Sequence, residues 1–215
     1  RCGMLRNAAV ALGNSDQQEA AVPVLAEVLQ KEEEHLVRAH VAWALGKLGG
    51  VEAKQALEAA NVAPEELDLI VVATITPDTY CPSAACWLQS RLGAKRAFAF
   101  DVNAACSGFV YGLSVADQFI RSGSVQRALF VGAEIMTRVV NWKDRATCVL
   151  WGDGAGAVVL APSENGRGIL SSHLYSDGSN GETLTVAGGG SRVTPINRET
   201  VDQDLHTLKM NGQDT

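Results

Sequence analysis

The stretch Leu69-Ile70-Val71-Val72-Ala73-Thr74 is apolar without interruption until its last residue. A strand with one wet face alternates apolar and polar side chains. A run without alternation marks a strand covered on both faces, as in a parallel sheet held between helical layers. The chain repeats the device. Ala97 to Phe100 reads as a buried strand, as do Ala128 to Gly132 and Thr147 to Trp151, with Ala157 to Leu160 beyond them. Between these runs the period changes. Pro82 opens a helix that ends at Gly93, and Phe109, Leu113, Ala116 and Ile120 stand at helical spacing in a helix ending at Arg121. A helix from Ala53 to Ala60 precedes the first strand, while Thr76-Pro77-Asp78 and Ser122-Gly123-Ser124 read as turns. Strands alternating with helices predict a layered α/β domain.

The first fifty residues have another character. Ala8-Ala9-Val10-Ala11-Leu12-Gly13 recurs as Val41-Ala42-Trp43-Ala44-Leu45-Gly46, with Leu5-Arg6 and Val37-Arg38 before the two copies. A period of roughly 33 residues is that of stacked helical repeats. Ser15 or Asp16 is placed to cap a helix bearing Val22, Leu25, Val28 and Leu29, with Pro23 in its first turn. Arg6 to Gly13 and His40 to Gly49 resemble the HEAT-like repeats of epoxyqueuosine reductases. That resemblance implies a helical scaffold, without the cysteines of a redox cluster. Gly49-Gly50 breaks the pattern, so the expected division is a HEAT-like segment over 1–52 and an α/β domain over 53–215. One repeat and a half buries little surface by itself, since such arrays generally need about three units.

Composition removes several classes of function. The chain is 47% hydrophobic and 20% charged, enough to bury a core, and its net charge of −6 offers no basic surface for nucleic acid. No apolar run approaches the roughly 18 residues of a membrane helix, and no secretory signal opens the chain. The five cysteines form no regular framework, which predicts a reducing, cytoplasmic setting. Cys81 and Cys86 stand too far from other ligands for a zinc site, and no metal is expected. With Arg1 first and no cap or tail at Asp214-Thr215, the chain reads as a fragment.

Chemistry concentrates at Phe100-Asp101-Val102-Asn103-Ala104-Ala105-Cys106-Ser107-Gly108-Phe109. Small residues surround one cysteine where a strand ends and a helix starts. Unpaired backbone N–H groups and the helix dipole favour a thiolate at such a junction. Two readings stand side by side: a nucleophile, or a buried packing cysteine, since free cysteine is among the most buried residue types. Gly152-Asp153-Gly154-Ala155-Gly156 superficially suggests a dinucleotide loop. That fingerprint must open a helix, however, and here a β-branched run follows, which predicts a tight connection between two strands.

Read together, these stretches resemble the N-terminal half of the β-ketoacyl-acyl-carrier-protein synthases III, thiolase-fold enzymes that initiate fatty-acid synthesis. The resemblance is carried by Leu57 to Ala60, Asp68 to Thr74, Pro82 to Cys86 and Phe100 to Phe109. It continues through Ala116-Asp117-Gln118, Val131 to Glu134, Asp144-Arg145, Gly152 to Leu160, Ser172-His173-Leu174 and Asp177-Gly178-Ser179. It implies a partial thiolase-like α/β/α fold and an acyltransferase whose nucleophile, Cys106, takes an acyl group from acyl-CoA for condensation with malonyl-acyl carrier protein. It further implies that Arg145 stacks on the CoA adenine and helps meet the carrier protein. Trp151, where the family usually has phenylalanine, is expected to border the acyl and pantetheine path, with Met210 and Gly212 close by. Acyl-CoA is a substrate, no cofactor is implied, and a homodimer is expected. Cys81 stands where relatives often carry a phenylalanine, and His173 matches a histidine on a strand. The family completes condensation with a histidine and an asparagine from its C-terminal half. None of His35, His40, His173 and His206 stands in that motif, which predicts impaired condensation by this chain. The competing reading is a non-catalytic scaffold of helical repeats and an α/β remnant, or a gene-fusion product.

Overall fold

The computed structural model describes residues 50–163, 167–193 and 197–212. The described residues fall into two compact units, one of 50–134 with 153–173 and the other from 135–152 and 174–212.

In the first unit a four-stranded sheet has the order β2-β1-β3-β4. Its strands are β1 (Leu69–Ala73), β2 (Phe98–Val102), β3 (Ala128–Glu134) and β4 (Gly154–Leu160). The uninterrupted apolar run takes the central place: β1 pairs in parallel with β2 on one side and β3 on the other, and all five of its residues are buried. β4 closes the far edge antiparallel to β3. Period two then divides β1 between two cores. Ile70 and Val72 pack with Ala53 and Leu57 of α1 (Gly50–Ala60) and with Ala85, Leu88 and Leu92 of α2 (Ala84–Leu92). Leu69, Val71 and Ala73 face the other way, with Phe130 and with Ala116 of α3 (Gly108–Arg121). A strand burying both faces needs helices on both sides, and the chain supplies them.

Several expectations need correction. β2 runs from 98 to 102, not 97 to 100, and is an edge strand rather than a buried one; Phe98 is 46% exposed. Its far side has no partner strand among the described residues, where β1 is its only strand neighbour. Pro82 does not open α2. It lies before the cap, where the Ser83 hydroxyl accepts from the Cys86 amide and the Asp101 carboxylate accepts from Ala84 and Ala85 N–H, both at 2.8 Å. Those three acceptors occupy donors that a helix start leaves open, and so fix the first turn at Ala84. Gly93, at φ +73°, ends the helix as expected.

The second unit also departs from the sequence reading. Thr147 to Trp151 is not a strand. The Asp144 carboxylate accepts from the Ala146 amide and the Thr147 hydroxyl, and amides of Thr147 and Cys148 donate back to the Asp144 carbonyl, which winds 144–150 into turns. The glycine run accordingly joins no two strands; β4 itself begins at Gly154. Elsewhere in this unit β5 (Leu184–Val186) and β6 (Leu208–Met210) form an antiparallel pair, with α4 (Arg198–Asp202) between them in sequence, capped by Asn197. The Leu208 amide donates to Val139 O at 2.7 Å, tying β6 to the turn in which Met136 and Val140 are buried. His173, in the first unit, is not on a strand: residues 169–177 form no regular element and pair with none of the described strands.

Candidate active site around Cys106

In an open α/β sheet, ligands gather beyond the carboxyl ends of parallel strands, where neighbouring strands send their connections to opposite faces. β1 and β2 are such a pair. The chain leaving β1 enters α2 on one face, and the chain leaving β2 enters α3 on the other. Cys106 lies on the second connection, beyond Val102.

The thiol does not stand on the helix itself. It occupies a 3₁₀ turn, Ala105–Ser107, just before α3, and is exposed. Among the described residues the thiol is not buried, as a packing cysteine would be. The turn is closed by Ser107 N–H donating to Ala104 O at 3.1 Å and by Gly108 N–H donating to Ala105 O. Two amides expected to be unpaired near the thiol are therefore engaged. The entry is strained, because Ala105 takes φ +45°, a left-handed conformation that costs an L-residue roughly 1–2 kcal/mol. Such a residue persists only where its surroundings over-determine it. Two contacts do so. Thr74 N–H donates to Val102 O at 3.2 Å, anchoring the chain before the turn. Gly108 packs on Ala73 so closely that a Cβ at 108 would lie 3.0 Å from the Ala73 Cβ, anchoring the chain after it. One turn on, Gly112 lies flat against the Phe130 ring, and a Cβ there would meet Cε2 at 2.1 Å. Two glycines thus seat α3 on β1 and β3, and the seating locates Cys106.

One further polar group near this turn was not singled out by the sequence reading. Glu134, last residue of β3, accepts from Ile75 N–H at 2.9 Å, the Thr76 hydroxyl at 2.6 Å and the Thr74 hydroxyl at 3.4 Å. Thr74 and Thr76 are both buried. The available signal was a lone carboxylate closing an apolar strand, where a partly buried charge demands partners.

The remaining candidates stand in the second unit. Arg145 is exposed on the turn that Asp144 organises, and the Thr147 hydroxyl, with the Ala146 amide, holds the Asp144 carboxyl below the ordinary carboxylate range. Trp151 is half-buried, and its indole Nε1 is buried without a hydrogen-bond partner. Met210 ends β6 opposite Leu184, and Gly212 follows Asn211, whose N–H donates to Thr183 O at 2.8 Å. His206 also carries a buried, unpartnered ring nitrogen, Nδ1. Cys81 is exposed. His35 and His40 lie outside the described residues, as does the HEAT-like segment apart from residues 50–52.

Residues 100–178, which include the cysteine turn, β3 and β4, match the family model of 3-oxoacyl-[acyl-carrier-protein] synthase III. The homology is to β-ketoacyl-[acyl-carrier-protein] synthase III. A protein of that name from Caldanaerobacter subterraneus subsp. tengcongensis is 53% identical over 161 residues, 75% of this chain and 48% of the relative. One from Xanthomonas campestris pv. campestris is 63% identical over 130 residues, 60% of this chain and 40% of the relative. In three dimensions the crystal structure of 3-oxoacyl-[acyl-carrier-protein] synthase III from Aquifex aeolicus superposes with a TM-score of 0.68 at 43% identity. That match covers 79% of this chain and 50% of the other. The chain therefore spans about half the length of the synthases III it matches, and its layered α/β unit is consistent with a thiolase-like domain. A HEAT-repeat model matches residues 4–73 and overlaps the described structure only from residue 50, across α1 and β1. Among the described residues, no helix is long and apolar enough to cross a membrane.

Proposed function

We propose that this chain carries the acyl-accepting part of a β-ketoacyl-acyl-carrier-protein synthase III, with Cys106 as its nucleophile. The observation that carries the reading is an exposed cysteine, on a strained turn beyond the carboxyl ends of two parallel strands, inside the stretch that matches the family. In the proposed step the Cys106 sulfur attacks the thioester carbonyl of an acyl-CoA. A new C–S bond forms, the bond to the CoA sulfur breaks, the cysteine proton is given up, and CoA leaves as a thiol after taking up a proton. The acyl group then condenses with malonyl-acyl carrier protein, with loss of carbon dioxide and return of the cysteine.

Family resemblance supports Arg145 as the adenine and carrier-protein contact, and Trp151, Met210 and Gly212 as residues of the acyl and pantetheine path. A guanidinium plane on an exposed turn suits stacking on a purine. The larger Trp151 ring is proposed to narrow the room for the starter chain. The edge of β2, without a partner strand among the described residues and with Phe98 exposed beside it, supports the expected homodimer. Residues 1–52 are proposed as a HEAT-like scaffold before the α/β domain of 53–215, in a cytoplasmic setting. The family's condensing histidine and asparagine come from its C-terminal half. By itself this chain is therefore proposed to acylate at Cys106 and to condense poorly, because such acid–base and oxyanion groups are each worth about 10²–10⁴ in rate.

Intact mass after incubation with acetyl-CoA tests the reading. One added acetyl group, absent from Cys106→Ser, is expected. A folded chain that stays unmodified would favour the non-catalytic scaffold, and robust ketoacyl product from this chain alone would refute the second half of the proposal.

A further inference from the structure

We infer that Glu134 is a positioning residue for Cys106, acting through the loop that leaves β1. The inference rests on the reading of Cys106 as the acyl acceptor, although part of its test does not. Three donors converge on the Glu134 carboxylate: the Ile75 amide on Oε1, and the Thr74 and Thr76 hydroxyls on Oε2. The Thr74 hydroxyl accepts in turn from Thr76 N–H at 3.0 Å, so the network closes on itself. Its product is a fixed course for residues 74–76, at the point where β1 would otherwise fray.

That course matters because Thr74 is also the anchor of the cysteine turn. Its amide donates to Val102 O, the last carbonyl of β2, and the adjacent Ala73 is the surface on which Gly108 rests. The two fixed ends of the strained segment 103–107 are therefore both held by Ala73-Thr74. Ala105 has nothing of its own to keep it at φ +45°, since alanine prefers the right-handed region. If residues 74–76 loosen, Val102 loses its tether and the turn relaxes toward the commoner conformation, carrying the thiol with it. Deleting the carboxylate also leaves three donors short of an acceptor, two of them on buried threonines, so the loop has a reason to rearrange. A displacement of about 1 Å at a reacting atom is enough to lower a rate by up to about a hundredfold.

The test measures acylation of the full chain by acetyl-CoA, by mass, across substrate concentrations for Glu134→Ala, Glu134→Gln and Thr76→Val. Far-UV dichroism and urea titration establish the folded fraction of each. Glu134→Ala is expected to lower the acylation rate constant about ten- to a hundredfold with an unchanged KM. Glu134→Gln, which keeps an oxygen for Ile75 N–H and an amide to which the hydroxyls can turn, is expected to stay within about threefold. Thr76→Val removes a single donor and is expected to fall between them; it decides the matter should Glu134→Ala not fold. A parallel arm follows alkylation of Cys106 by iodoacetamide. If wild type takes no acetyl group, the reading of Cys106 fails, and the alkylation rates still report whether Glu134 positions the thiol. Folded Glu134→Ala and Thr76→Val reacting at wild-type rates would overturn the inference. So would a loss that merely tracks the unfolded fraction, or one confined to KM.

Discussion

Replacing Gly112 with alanine adds one methyl group at the tightest point between α3 and the sheet. A Cβ at this position would stand 2.1 Å from Phe130 Cε2 and 2.5 Å from Cζ, whereas carbons pack comfortably at about 3.5–4.0 Å. Either the helix or the ring must therefore move by more than about an ångström. The ring has little room. Phe130 is fully buried, lies in the middle of β3, and has the Phe109 ring 5.1 Å away on centroids. Overpacking of this kind costs about 1–3 kcal/mol. Against it stands the better helix propensity of alanine, about 1 kcal/mol. A 2.1 Å approach puts the overpacking cost in the upper half of its range, about 2–3 kcal/mol, so the net expectation is a loss of about 1–2 kcal/mol, seen as a urea midpoint lower by roughly 0.5–1 M at an unchanged slope. Gly108→Ala makes the contrast. Its Cβ would meet the Ala73 Cβ at 3.0 Å, a milder conflict that the same propensity gain nearly offsets, so its stability should change by less than about 0.5 kcal/mol. Phe130→Leu supplies the control, because Gly112→Ala should be less harmful once the ring is gone, in a double-mutant cycle. A Gly112→Ala protein as stable as wild type, or an equal loss in both backgrounds, would refute the claim that the glycine–ring contact seats α3.

Two further substitutions probe the same layer. Asp68 accepts from the Gln126 and Arg127 amides and from Arg96, and these contacts, the Gln126 amide foremost, hold its carboxyl below the ordinary value of 3.8. A depressed folded value means that its contribution is present above 3.8 and lost as the pH falls through the lower, folded value. In urea titrations across that window the stability gap between wild type and Asp68→Asn should close, and a gap independent of pH would contradict the assignment. Ala105→Gly relieves roughly 1–2 kcal/mol of left-handed strain against about 0.4–1 kcal/mol of added unfolded-chain entropy, so it should raise stability by up to about 1.5 kcal/mol while slowing acylation, because the turn gains conformations. Lower stability would mean that the alanine methyl group makes a contact worth more than the strain.

Much of the layered domain was legible because its signals are local. A run such as Leu69–Ala73 can be satisfied only by cover on both faces, and Gly93 and Gly123, both at positive φ, punctuate the chain where the sequence placed turns. The failures have a common physical origin. Whether Ala97 to Phe100 is buried depends on what lies beyond β2, which its composition does not encode. Thr147 to Trp151 has strand-like composition, but the Asp144 carboxylate takes the Thr147 hydroxyl and the preceding Ala146 amide while the Asp144 carbonyl takes the Thr147 and Cys148 amides, and turn chemistry prevails over β propensity. The turn that carries Cys106 between a strand and a helix was legible from its small neighbours. Glu134 was not, because its three partners lie 58 to 60 residues earlier in the chain and meet it only once β1 and β3 are paired.

That long separation bears on how the cysteine turn comes to be strained at all. A left-handed alanine is unfavourable by itself, so the turn is held by contacts able to impose it rather than by local preference. Those contacts require β1 paired with β2 for the Thr74–Val102 hydrogen bond, β1 paired with β3 for the Glu134 network, and α3 laid across β1 for the Gly108–Ala73 contact. Each draws on a different pair of elements, and all three meet at Ala73-Thr74. Geometry at the thiol is therefore a property of the assembled sheet. A substitution in β1 or β3 that leaves Cys106 untouched can still move it, whereas one on the solvent face of α3 should not.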